Sequence, residues 1–171
     1  TWLCSDDILF PSAISLMVNA LENNPDYSLV YGGGVFIDEN DKIIKKFSFT
    51  DMTLEKLLYH KHSTIAQPST LIRMESLKKV GLLDESLSYC MDYDLWIRLI
   101  KIGKFLNLGD VIISGYRLHN NSKTVGAYTK MALEKIKVNR RYTNDIINKV
   151  IYKHYWYIIQ NYINKYIRRK K

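Results

Sequence analysis

The chain has 171 residues, 47% of them apolar, which suffices for one buried core and excludes two full domains. Its net charge of +8 is uneven: residues 129–171 carry 12 Lys/Arg against only Glu134 and Asp145, which leaves residues 1–128 slightly acidic. This composition excludes disordered, collagen-like and coiled-coil classes, and an acidic body argues against nucleic-acid binding.

In chain order, Thr1–Asp7 (TWLCSDD) reads as the end of a buried strand running into a polar loop, and so predicts that sequence precedes Thr1. Ile14, Met17, Val18 and Leu21, bounded by Pro11 and Asn23-Asn24-Pro25, predict an amphipathic helix. Residues 28–37 (SLVYGGGVFI), a turn at Glu39-Asn40-Asp41 and Lys42–Phe49 predict two strands. The three glycines lack the Gly-Lys-Ser/Thr of a phosphate loop, so a bulge or close backbone approach is expected. A short helix is expected over Thr53–His60, a loop entering a strand over Gln67–Arg73, and a helix over Glu75–Val80 stopped by Gly81. Asp92–Ile102 is the second amphipathic helix, with Leu95, Leu99 and Ile102 on one stripe and Gly103 as its left-handed C-terminal residue. Phe105–Ile113 reads as a strand, Ser114–Asn121 as a short strand and loop, and the chain from about Ala127 onward as helical. Strands alternating with helices make the chain α/β with a mostly parallel sheet, whose ligands gather at the carboxyl ends of strands.

Four places could carry chemistry. Asp6 and Asp7 are adjacent like charges that a hard divalent cation would offset, Mg²⁺ or Mn²⁺ holding a diphosphate; alternatively they cap the following helix. Asp92 and Asp94 open a helix, where one acid could serve as a base; alternatively both are cap acids, with Arg98 as the i+4 partner of Asp94. His119 follows a strand in a polar loop, whereas His60-Lys61-His62 has no third ligand nearby. Over Ile146–Lys171, a stripe of Ile147, Ile151, Tyr155, Ile158, Ile159, Tyr162 and Tyr166 ends in Arg168-Arg169-Lys170-Lys171. Such a helix could lie on an anionic membrane or dock on protein. Cys4 and Cys90 form neither a disulfide framework nor a zinc cluster, and no apolar run approaches about 18 residues, so a cytoplasmic protein, peripheral to the membrane at most, is expected.

Taken together, WLCSDDILFPSAI, IAQPSTLIRMESLKKVGLLDESL, CMDYDLWIRL and YRLHNNSKT resemble the family 2 glycosyltransferases, inverting enzymes of the GT-A fold, over residues 1–125. The resemblance implies a partial GT-A domain over 1–126 that lacks its nucleotide-binding first half, followed by a basic helical tail over 127–171. It implies that Asp6 is the metal ligand of a D-x-D type motif, with Asp7 beside it at the sugar diphosphate and Cys4 where the first acid would fall. It makes Asp92 the base of a Glu-Asp type motif with Met91 in place of the Glu. Asp94, Trp96 and Arg98 would shape the acceptor pocket, and His119 would complete the metal site. The implied partners are a nucleotide-sugar donor and a saccharide or lipid-linked acceptor of cell-envelope type. A membrane-surface module and a non-catalytic acceptor-binding domain are the alternatives.

Overall fold

The longest apolar run becomes the spine of the molecule. In the computed structural model, which describes residues 1–59, 65–119, 127–144, 151–152 and 154–160, Tyr27–Ile37 forms strand β2, buried along nearly its whole length. Before it come β1 (Ile8–Leu9) and helix α1 (Ala13–Glu22); after it comes β3 (Ile43–Phe47). Helix α2 (Leu54–Tyr59), a 3₁₀ turn at Gln67–Ser69, β4 (Thr70–Ile72) and α3 (Met74–Val80) follow. Helix α4 (Met91–Ile100), β5 (Lys104–Arg117) and α5 (Tyr128–Tyr142) complete the order. Residues 151–152 and 154–160 are helical as well.

The sheet runs β1-β5-β2-β3, with β4 also on β2. The long central pair β2–β5 is parallel, while the short strands β1, β3 and β4 add antiparallel, so the sheet is mixed around a parallel core. Successive β2 side chains serve opposite faces. Val30 joins Ala13, Met17, Leu21 and Ile113 under α1, while Leu29 and Tyr31 join the larger core with Trp96, Leu95 and Leu99 of α4 and Val138 of α5. The result is a helix layer on each face of the sheet.

Several sequence expectations are corrected. The buried stripe of α1 is Ala13, Met17 and Leu21; Ile14 is 42% exposed, because the helix leans on Val30 and Ile113 through the neighbouring face. Residues 1–4 form no strand, and Leu3 and Cys4 are exposed; no described strand pairs with them. Helix α4 ends at Ile100 and Ile102 is exposed. Gly103 does not have a positive φ; a Cβ there would lie 2.8 Å from the Ser28 Cβ, so close packing explains the glycine. The left-handed role belongs to Gly81, at φ 81° after α3. Strand β5 is continuous through Ser114, with residues 107–112 of β5 opposing only 31–33 of β2 in a bulge around Gly109.

The glycine run fulfils its expectation. A Cβ would lie 2.7 Å from Ile113 Cγ1 at Gly32, 2.7 Å from the Phe47 oxygen at Gly33, and 2.6 Å from the Ser114 oxygen at Gly34. The Ile113 side chain at Gly32, and backbone oxygens at Gly33 and Gly34, fill the space a side chain would need.

Candidate active site

Strand β1 is short and antiparallel to β5, pairing Ile8 with Gly115 and Leu9 with Ser114. Asp6 and Asp7 therefore enter β1 at its amino end, beside the carboxyl ends of β5 and β2. The site falls where an α/β sheet places ligands, although the acids reach it from the opposite strand direction to the one expected.

Four side chains meet there. Asp7 is buried, and its Oδ1 accepts the Arg117 backbone N–H at 2.9 Å. The Asp6 carboxylate, 39% exposed, meets His119 Nε2 at 3.0 Å through Oδ2. The Arg117 guanidinium donates to the Asp6 carbonyl at 2.7 Å, the Asp38 carbonyl at 2.6 Å and Asp41 Oδ1 at 2.5 Å, locking the β2–β3 turn onto this corner. Neither Asp6 nor Asp7 caps α1, whose N-cap residue is Ser12 and whose first turn has no side-chain cap bond. Their acidities diverge. The hydrogen bond with His119 holds the Asp6 carboxyl below the usual carboxylate range, whereas burial, reinforced by the Asp6 charge, pushes Asp7 up against the opposing pull of the Arg117 amide.

Ligating atoms of Cys4, Asp6 and Asp7 lie within 4.8 Å of one another. Two carboxylates are the hard oxygen donors that Mg²⁺ and Mn²⁺ prefer, so this pair fits such an ion, while the soft Cys4 thiol does not. The Cys4 thiol instead donates to Gln67 Oε1 at 3.6 Å. His119 stands beside the triplet, its Nε2 3.0 Å from Asp6 Oδ2.

Helix α4 supplies the second set. Asp92 is recessed at its first turn; burial pushes its carboxyl up, partly countered by the Tyr93 N–H that its Oδ1 accepts at 2.7 Å and by Lys135 nearby. Asp94 is 2% exposed and accepts from Arg98 Nε at 2.8 Å and the Tyr142 hydroxyl at 2.7 Å. Arg98, the expected i+4 partner, also donates to the carbonyls of Val80, Gly81 and Leu82. Trp96 is fully buried. Asp94 and Trp96 thus lie inside the protein, while Arg98 is 20% exposed. The two sets are joined by Trp2, whose ring stacks on Trp96 at 6.0 Å, four residues before Asp6 and one turn after Asp92. Gln67 fastens this joint by donating to the Trp2 carbonyl.

The chain is similar to several proteins that carry one description. It is 31% identical over 134 residues to a protein of Methanocaldococcus jannaschii, covering 77% of this chain and 46% of the relative. It is 32% identical over 141 residues to one of Rickettsia typhi, covering 77% and 43%, and 27% identical over 138 residues to one of Rickettsia bellii, covering 76% and 20%. Each is named an uncharacterized glycosyltransferase. The chain thus spans less than half the length of these relatives. No protein-family model matches it.

Sequence reasoning gave no role to Arg117, Gln67 or Glu134. The first two lie inside the quoted YRLHNN and QPST segments, but an arginine that ties its own strand to two other chain segments cannot be told from a surface one by spacing. Their partners lie tens of residues away. His60 and His62 lie outside the described residues, as do Ile147, Tyr162, Tyr166 and the basic end of the tail. Of the remaining stripe, Ile151 is buried, Ile158 is half-buried, and Tyr155 and Ile159 are exposed. No helix among the described residues is long and apolar enough to cross a membrane.

Proposed function

We propose that this chain is the acceptor-side part of an inverting glycosyltransferase of family 2 and GT-A type, which moves a sugar from a nucleoside-diphosphate sugar to a hydroxyl of a saccharide or lipid-linked acceptor. The observation that carries the reading is the meeting of Asp6 with His119, 113 positions away, beside Asp7 and Arg117. Those residues come from separate motifs of the resemblance, and the relatives' names point to the same reaction class.

In this reading Asp92 accepts the proton of the acceptor hydroxyl. That oxygen then attacks the anomeric carbon as the bond to the diphosphate breaks, the departing oxygen keeps the electron pair, and configuration inverts. Asp6 and His119 would hold Mn²⁺ or Mg²⁺, with Asp7 beside them at the sugar diphosphate. When bound, the cation supplies positive charge against the charge growing on the diphosphate. Burial at the head of α4 raises the proton affinity of Asp92 towards what a base at neutral pH requires. Asp94, Trp96 and Arg98 shape the acceptor side from behind, by holding α4 and the α3–α4 connection in place.

The test uses the full-length natural protein, a panel of UDP-, GDP- and dTDP-sugars, and Mn²⁺. Asp92→Asn is expected to lower turnover by about 10²–10⁴-fold with donor affinity retained. Asp6→Ala is expected to abolish the metal dependence. Turnover that survives both substitutions would overturn the site; binding of an acceptor with no turnover on any donor would favour a non-catalytic domain.

A further inference from the structure

The first turn of α4 is held from another element. Cys90, its N-cap residue, makes no side-chain cap bond, and its thiol points away to donate to the Met131 carbonyl at 3.4 Å. The amides of Ser88, Tyr89 and Cys90 converge instead on one carboxylate, that of Glu134 on α5. Oε1 accepts from Ser88 at 2.9 Å, and Oε2 accepts from Tyr89 at 2.6 Å and from Cys90 at 2.7 Å. Bonds from amides to a carboxylate are charge-assisted, and a negative charge ahead of a helix also complements its dipole. Two further residues of α5 grip the same turn. The Lys135 ammonium lies 4.6 Å over the Tyr93 ring, and Asn139 Nδ2 donates to the Tyr93 hydroxyl at 3.0 Å, which itself donates to the Leu57 carbonyl.

Asp92 lies two residues beyond the last amide held by Glu134, and one before the tyrosine held by Lys135 and Asn139. Contacts from α5 therefore flank it on both sides along the chain. We propose that Glu134 is a positioning residue for Asp92: by gripping the Ser88–Cys90 turn, it fixes where the base carboxylate stands against the acceptor hydroxyl. This rests on Asp92 being the base. It also makes α5, outside the span of the family resemblance, part of the working site.

The experiment compares wild type, Asp92→Asn, Glu134→Ala, Glu134→Gln and the double variant Asp92→Asn/Glu134→Ala in the full-length protein, reading kcat and KM on whichever member of the sugar-nucleotide panel turns over. Glu134→Ala is expected to lower kcat by about 10²-fold, the cost of a base misplaced by roughly 1 Å, with donor KM within about twofold of wild type. Glu134→Gln, which keeps one acceptor oxygen in place, is expected to fall between the two. In the Asp92→Asn background, Glu134→Ala should cost little more, because residues acting as one unit are not additive. A kcat unchanged in Glu134→Ala, or a full further loss in the double variant, would overturn the proposal. If Glu134→Ala does not fold, Glu134→Gln carries the comparison, and wild-type kcat in that variant would overturn it equally. Should Asp92→Asn itself keep wild-type turnover, or no donor react at all, the base assignment fails first and Glu134 loses its role with it.

Discussion

Asp94 and Asp6 are both carboxylates facing a cation-capable partner, yet the protein uses them in opposite ways. Asp94 is 2% exposed, with Arg98 on one oxygen and Tyr142 on the other. It joins α4 to α5, and Arg98 carries the link on to the end of α3. Asp6 is 39% exposed and meets one imidazole, while the main-chain bonds of Arg117 hold the loop beneath it. An acid whose lone pairs are consumed internally is architecture; an acid whose backbone is pinned while its carboxylate faces solvent is available for a ligand. The geometry separates two acid pairs, Asp6-Asp7 and Asp92-x-Asp94, that the sequence offers equally as cap or ligand.

The largest effect that sharpens this contrast is on folding. Asp94→Ala leaves Arg98 and Tyr142 without their buried partner, and is expected to cost about 3–5 kcal/mol in urea unfolding. An unchanged midpoint would mean that Asp94 is not the pillar its contacts describe. Next comes pH. A base must be ionised, so the rate should fall tenfold per unit of pH below the pKa of Asp92, which burial raises; the acid limb should therefore lie above the ordinary Asp value near 3.9. A limb at or below that value would remove Asp92 from the role of recessed base. The smallest effect is at Asp41, 68% exposed, whose bond to Arg117 is a surface ion pair. Asp41→Asn keeps a residue tolerant of its φ of 65° and should cost less than about 1 kcal/mol in the same unfolding experiment. A larger loss would show that the Arg117 corner depends on charge as well as on its main-chain bonds.

Much of the frame was legible because it rests on local pattern. The apolar run of β2, the Asn-Asn-Pro stop after α1 and Gly81 after α3 each work through their own neighbours. Met17 and Leu21 of α1 are buried as their spacing predicts, but local pattern could not tell that Ala13 rather than Ile14 opens the stripe, which is settled only once Val30 and Ile113 are in place. The short antiparallel β1 was hidden for a similar reason: two residues carry no period, and only pairing with β5 defines them. In the candidate site, residue pattern offered Asp6, Asp7, Asp92, Asp94 and His119 with capping as an alternative for the acids, and only the family resemblance chose Asp92 over Asp94. The groups that hold them, Arg117 and Glu134, bond mainly to backbone atoms, which leave no trace in residue identity.

Gly32, Gly33 and Gly34 have a consequence for descent. In the genetic code alanine is a single-base change from glycine, and at most surface glycines that change survives. Here the added methyl group would meet the backbone oxygen of Phe47 at Gly33, and at Gly34 both the Ser114 oxygen and the Phe47 ring, whose Cζ would lie 2.5 Å away. A main-chain oxygen cannot rotate aside, so these positions cannot drift one at a time. Any lineage that loses Gly33 or Gly34 must also re-space β3 or β5.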